Sequence, residues 1–171
     1  MVCGPLDFNL RRGERVALVG KNGSGKSSLL KLLKGERISY DGELYAPKSL
    51  KISFIPQDAS GLSGSLKDLA RARGSDLSLF FTILNKLDLP KELFDLDSET
   101  FSDGQKKKVV LALSLGEEAH LYLWDEPLNY IDMLSRVQIE NVILAQKPTM
   151  LFVEHDAEFV RRVATRCIEL W

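Results

Sequence analysis

The sequence predicts an α/β fold: a mostly parallel core sheet flanked by helices, with a helical subdomain inserted into it. Three observations carry this. Residues 15–19, 121–124 and 149–153 are short and almost wholly apolar, as expected of strands covered on both faces of a parallel sheet. Each is followed by a segment with helical spacing, and strands alternating with helices build parallel sheets by crossover. Between residues 57 and 100 the strand signals stop and short helical segments replace them. The expected division is a core subdomain of residues 1–57 and 117–171 and a helical subdomain of residues 58–116.

At 171 residues the chain suits one domain with a sizeable core. The hydrophobic fraction of 44% and charged fraction of 27% are those of a globular protein rather than a disordered one. A formal net charge of -1 gives no global attraction to nucleic acid or an acidic membrane. Cys3 and Cys167 have no metal-ligand spacing, so a reduced intracellular protein is expected, with Cys167 a small core residue. No run approaches the ~20 apolar residues of a membrane span, and no signal peptide is visible. The expectation is a soluble, cytoplasmic chain that does not itself insert into a membrane.

Taken in order, residues 1–12 read as an edge strand and turn, with Leu6, Phe8 and Leu10 alternating and Gly13 closing it. Residues 15–19 form a buried strand, and residues 28–34 place Leu and Lys at helical spacing up to a stop at Gly35. Asp41-Gly42 marks a turn beside a short strand at Glu43-Leu44-Tyr45; residues 51–55 form another strand, ended by Pro56. Residues 65–73, 77–87 and 90–94 read as short helices broken by Gly74 and the Leu89-Pro90 step, and the acidic Asp95, Asp97 and Glu99 as solvated surface. Residues 104–115 form a helix whose apolar half, 109–113, is buried. A helix over 132–146 is capped by Asp132 with Pro148 beyond it, a helix follows over 156–165, and a last strand starts at Ile168. There is no internal repeat or low-complexity tract.

Gly20-Lys21-Asn22-Gly23-Ser24-Gly25-Lys26-Ser27 has Gly, four residues, then Gly-Lys-Ser, the pattern of a phosphate-binding P-loop. Strand, glycine-rich turn and helix are what this chemistry needs. Successive N–H groups line a concavity for phosphate oxygens, and the positive end of the helix dipole faces it. Lys26 places a cation on the β- and γ-phosphates, and the Ser27 hydroxyl can ligate a magnesium ion. Ser28 belongs to the same phosphate-facing turn. An incidental Gly/Ser turn would not carry eight matching residues between a strand and a helix.

A second carboxylate site follows the apolar strand 121–124. Asp125 is placed to hold the metal and Glu126 to polarise the attacking water as general base. The bland alternative, two acids capping a strand at the surface, is weak in a chain that already has a P-loop. Gln57, after its strand, offers an amide for magnesium or water; alone it would mean nothing, since polar residues often follow strands. His155, after the strand 149–153, could reach the γ-phosphate, although a lone histidine is more often structural. The catalytic set is thus Lys26, Glu126 and His155, and the metal set Ser27, Gln57 and Asp125.

Phe101-Ser102-Asp103-Gly104-Gln105 resembles the signature motif of the ATP-binding-cassette (ABC) ATPases, which usually reads Leu-Ser-Gly-Gly-Gln. With Gln57 as Q-loop, residues 121–126 as Walker B, residues 128–132 as D-loop and His155 as switch histidine, the resemblance covers essentially the whole chain in the family's order. It implies ATP and Mg2+ as ligands, ATP hydrolysis, and a P-loop NTPase fold. It also implies a second such domain, in the same polypeptide or in a homodimer, packed head to tail. Each ATP then lies between one P-loop and the partner's Ser102, Asp103, Gly104 and Gln105, and turnover is slow in an isolated domain. The N–H groups at the start of the Gly104 helix suit a second anion site; most of Lys106, Lys107 and Lys108 are expected to be solvated.

Two departures bear on this. Asp103 replaces the first signature glycine, putting a carboxylate near the partner's γ-phosphate, where repulsion would weaken closure or slow hydrolysis. No aromatic stands upstream of Gly20 where the family stacks adenine, so the chain is expected to be an N-terminally truncated excerpt of a larger protein. Asp125-Glu126-Pro127-Leu128-Asn129-Tyr130-Ile131-Asp132 resembles the ABC-F subfamily, and the Ser-Asp-Gly-Gln variant its antibiotic-resistance type, second cassette. That implies tandem cassettes without a membrane domain, acting on the ribosome near the tRNA exit site. The alternatives are the ATPase subunit of a membrane transporter and a non-hydrolysing nucleotide switch.

Overall fold

The computed structural model describes residues 5–171; the expected strand segment at residues 1–4, with Cys3, lies outside the described residues. The elements run β1 (Arg15–Gly20), α1 (Lys26–Lys34), β2 (Ile52–Ile55), α2 (Leu66–Ala72), α3 (Leu77–Lys86), α4 (Asp103–Gly116), β3 (Leu121–Asp125), α5 (Met133–Gln146), β4 (Met150–Val153), α6 (Ala157–Val163) and β5 (Arg166–Leu170). Short 3-10 turns occupy Lys91–Leu93 and Ser98–Thr100. The strands form one sheet in the order β2-β3-β4-β1-β5, parallel from β3 through β5. The expected α/β class is what forms.

By its contacts the chain falls into two compact units. The first comprises Met1–Phe54, Ala119–Glu126 and Gln146–Trp171. Its core joins Val16 and Leu18 of β1, Leu30 of α1, Leu121 and Leu123 of β3, Leu151 and Val153 of β4 and Leu170 of β5. The apolar runs are continuous because these central strands have no wet face; all four residues of β4 are buried.

Three expectations for this unit are corrected. Residues 5–12 are not a strand, although Phe8 and Leu10 pack on the core: the alternation reports burial of every second side chain, without a backbone partner. Residues 43–45 form no strand either; Tyr45 is 93% exposed, so nothing holds an extended segment there. Cys167 is exposed rather than in the core, because β5 is the edge strand and Cys167 lies on its outer face.

The second unit comprises Ile55–Glu118 and Pro127–Ala145. Here α4 packs against α3 and α2, burying Val109, Leu111 and Leu113 with Phe80, Leu84 and Leu66. Each helix starts on a side-chain cap. Ser65 accepts the Asp68 N–H at 3.2 Å, Asp76 accepts the Leu79 N–H at 2.8 Å, and Asp132 accepts the Ser135 N–H at 2.9 Å. Asp97 is solvent-exposed as expected, yet it also ties the loop, accepting the N–H groups of Gly64 and Glu99 at 2.8 Å each. Those two bonds, Glu99's first, hold its carboxyl below the usual range.

Candidate active site

The P-loop residues span the end of β1, a five-residue turn and the start of α1. Gly20 must be glycine on steric grounds. Its φ is +147°, and a Cβ would lie 2.3 Å from the Leu170 carbonyl oxygen. Gly25 takes a left-handed conformation (φ 93°) at the N-cap, and no side chain caps α1 or places an acid in its first turn. Its first N–H groups and positive dipole end are therefore left for another anion. Lys26 is 7% exposed and donates to the carbonyls of Gly20 and Lys21, both at 2.9 Å. This closes the turn and leaves the ammonium a third N–H. The Ser24 hydroxyl is buried with no hydrogen-bond partner. An open helix start, a bent-over lysine and an orphaned buried hydroxyl around one turn fit a polyphosphate.

The sheet order brings the remaining chemistry of this unit alongside. Because β3, β4 and β1 are neighbours, the residues just beyond their C-terminal ends share one edge. Asp125, the last residue of β3, is 1% exposed. Glu126 follows with φ 47°, a left-handed conformation for a residue that ordinarily avoids it. Its N–H still donates to the Val153 carbonyl at 3.0 Å, which fixes the backbone of residue 126 beside β4. Glu126 Oε1 stands 3.2 Å from His155 Nε2, so two expected catalytic residues 29 positions apart meet. Sequence reasoning passed over Glu154, which has no motif of its own. It is 8% exposed, and its carboxylate accepts the His155 N–H at 2.9 Å, orienting the histidine backbone. A cleft of about 380 Å³ is lined by Gly20, Lys26, Glu154 and His155.

Among the described residues no three His, Cys, Asp or Glu side chains cluster to hold a metal on their own. A divalent ion here would need phosphate oxygens beside the Ser27 hydroxyl and Asp125, which is how Mg2+ is usually held with a nucleotide.

The other expected residues lie in the second unit. Ser102 and Gln105 form a capping box on α4: Ser102 Oγ accepts the Gln105 N–H at 3.3 Å, and Gln105 Oε1 accepts the Ser102 N–H at 2.9 Å. The Ser-x-x-Gln spacing before an apolar helix carried that signal. Gly104 is small because Tyr130 lies against it; a Cβ would stand 3.2 Å from the Tyr130 carbonyl oxygen. Gln57 and Asp103 are exposed and line one cleft of about 260 Å³ with Asn129 and Tyr130.

The expectation of a solvated lysine run is corrected. Lys107 is 1% and Lys106 8% exposed, and Lys108 reaches Asp132 at 3.0 Å. The reason is that α4 is the central helix of its unit, so these side chains run through packed surroundings. Burying an unpaired ammonium costs several kcal/mol. Lys107 avoids that by donating to the carbonyls of Pro56 and Gln57 at 2.9 and 3.1 Å, and Lys106 to that of Ser60 at 2.9 Å.

The ATP-binding protein Uup of Caulobacter vibrioides is 32% identical over 166 residues, covering 96% of this chain and 27% of Uup. The chain spans about a quarter of the length of the curated relatives it matches. These relatives uphold the resemblance to the ABC-F cassettes. Among solved structures, a dimeric bacterial ABC transporter cassette superposes with a TM-score of 0.81 at 21% identity, over 99% of this chain and 86% of that one, a likeness of fold. An archaeal ribosome recycling factor, solved in complex with a ribosomal stalk protein, superposes with a TM-score of 0.78 at 25% identity, over 94% of this chain and 32% of that one. Residues 3–129 match the family described as ABC transporter, and on that match the chain belongs to the ABC family.

Proposed function

We propose that this cassette binds Mg2+·ATP at residues 20–28 and hydrolyses it as half of a head-to-tail pair, in a soluble cytoplasmic ABC-F protein that works on the ribosome. The observation that carries the catalytic part is the 3.2 Å approach of His155 Nε2 to Glu126 Oε1, beside the P-loop. The P-loop N–H groups and Lys26 hold the phosphates. The Glu126 carboxylate takes the proton of the attacking water, and His155 steadies that carboxylate and donates towards the γ-phosphate. Ser27 and Asp125 would hold the magnesium ion, which when bound spreads the charge of the β- and γ-oxygens; Gln57, in the second unit, is read from its place after a strand as a ligand for magnesium or water.

Residues 102–105 lie outside this set and, in this reading, complete a partner's site. The Ser102 hydroxyl and the free N–H groups of the first α4 turn suit a phosphate, while Asp103 slows closure by like-charge repulsion. The ribosomal role is supported by the likeness of residues 125–132 to ABC-F sequences and by the recycling-factor neighbour.

Glu126→Gln is expected to lower turnover by about 10²-fold or more while ATP still binds. Turnover that survives the change would reject the base assignment. Composite sites require turnover per molecule to rise with protein concentration wherever cassettes must meet in trans. Fast turnover in a monodisperse single-cassette sample would reject them. Failure of the Glu126→Gln protein to co-sediment with ribosomes in ATP would reject the ribosomal role.

A further inference from the structure

Within the second unit, the backbone around Gln57 is gripped from one side by the two lysines that follow the Ser102–Gln105 capping box. Lys107 Nζ donates to the carbonyls of Pro56 and Gln57, and Lys106 Nζ to that of Ser60. Asp58 closes the same turn, its two carboxylate oxygens accepting the N–H and hydroxyl of Ser60 at 2.7 and 2.9 Å. These Ser60 bonds, then the charges of Lys107 and Lys106, hold the Asp58 carboxyl below its usual range. Every carbonyl named belongs to the 56–60 turn, and both lysines belong to the early turns of α4. An apolar side chain would fill the space beside α4 equally well, so packing alone does not explain an ammonium at a position 1% exposed.

We propose that Lys107, seconded by Lys106, is a positioning residue that locks the Gln57 backbone to the first turns of α4, so that Gln57 and residues 102–105 shift as one body. The inference rests on the reading of Gln57 as a ligand for magnesium or water made above. It adds the residue through which that contact is felt at the signature turn. The two motifs also line one cleft, with Lys107 in its wall. By linkage, a ligand that orders Gln57 then orders Ser102, and a phosphate on Ser102 favours the engaged Gln57 to the same extent.

The test compares Lys107→Met, which keeps the stem and removes the donors, with Gln57→Ala in the purified protein. Hydrogen–deuterium exchange is followed at the amides of residues 57–60 and 103–108, with the apparent KM for Mg2+ in ATP turnover and the metal-free ATP affinity measured alongside. In Lys107→Met, exchange at 57–60 is expected to rise about tenfold or more. The Mg2+ KM rises severalfold while metal-free ATP affinity holds within about twofold, a split that general loss of structure would not produce. If Lys107→Met does not fold, Lys106→Met supplies the same exchange readout at Ser60. Wild-type exchange at 57–60 in a folded Lys107→Met or Lys106→Met protein overturns the lock. Raised exchange with an unchanged Mg2+ KM overturns the positioning role. If Gln57→Ala leaves the Mg2+ KM unchanged while Lys107→Met raises it, the Gln57 assignment fails separately.

Discussion

Gly20→Ala is the substitution whose cost is worked most directly from this structure. A Cβ at residue 20 would lie 2.3 Å from the Leu170 carbonyl oxygen and 3.0 Å from Ser24 Oγ, and the backbone there has φ +147°. Forcing an L-residue into such a conformation costs about 1–2 kcal/mol. Overpacking against backbone adds about 1–3 kcal/mol, because Leu170 is paired with Gly20 in the β1–β5 register and yields only by breaking that pairing. The sum, about 2–5 kcal/mol, is a large part of the 5–15 kcal/mol typical of a domain. For a domain of this size it lowers the melting temperature by roughly 10 °C. Gly23→Ala is the internal control: its φ is +82° but nothing lies within 4 Å of the added Cβ. It should cost only the backbone share, about 1–2 kcal/mol, or roughly 2–8 °C. Thermal unfolding followed by circular dichroism separates the two. A Gly20→Ala protein melting no lower than Gly23→Ala would refute the steric account of the P-loop entry.

Lys26→Met removes a charged donor from a turn that has no other buried cation, and is expected to weaken ATP binding about 10- to 100-fold by calorimetry; unchanged affinity would place the phosphates elsewhere. Asp132→Ala should cost about 1 kcal/mol at neutral pH by losing the α5 cap. The Ser135 N–H first, with Lys108, holds the Asp132 carboxyl well below its ordinary value of 3.8. Its contribution is therefore present above about pH 4 and lost as pH falls through the lowered folded value. Since the side chain is 50% exposed, the Lys108 ion pair itself adds little. Urea unfolding at neutral and acid pH checks this: the gap between wild type and Asp132→Ala should narrow in acid, and a constant gap would contradict it.

Much of the candidate phosphate site was readable in one dimension. The turn from Gly20 to Ser27 and the step from Trp124 into Asp125-Glu126 are local patterns, in which a buried apolar strand must end at a polar ligand edge. The strands at β1, β3 and β4 were legible for the same reason, since a strand covered on both faces leaves an unbroken apolar run. The alternation at Leu6, Phe8 and Leu10 was misleading because period-two burial does not require a hydrogen-bonded neighbour, and these residues have none in the sheet.

What sequence could not say was which positions water reaches. Three successive lysines read as solvated by composition, yet α4 is enclosed by α2 and α3, and the ammonium groups of Lys106 and Lys107 meet carbonyls from residues about fifty positions away. Cys167 reads as core by type, but as part of the edge strand β5 it faces outward. The meeting of Glu126 with His155 depends on β3 and β4 lying side by side, and the burial of Glu154, which accepts the His155 N–H, is likewise visible only in the folded chain. Residue type and spacing thus carry the chemistry wherever a motif is contiguous. Burial, strand neighbours and the partners of charged groups arise from contacts between distant segments, so they are settled only when the chain has folded.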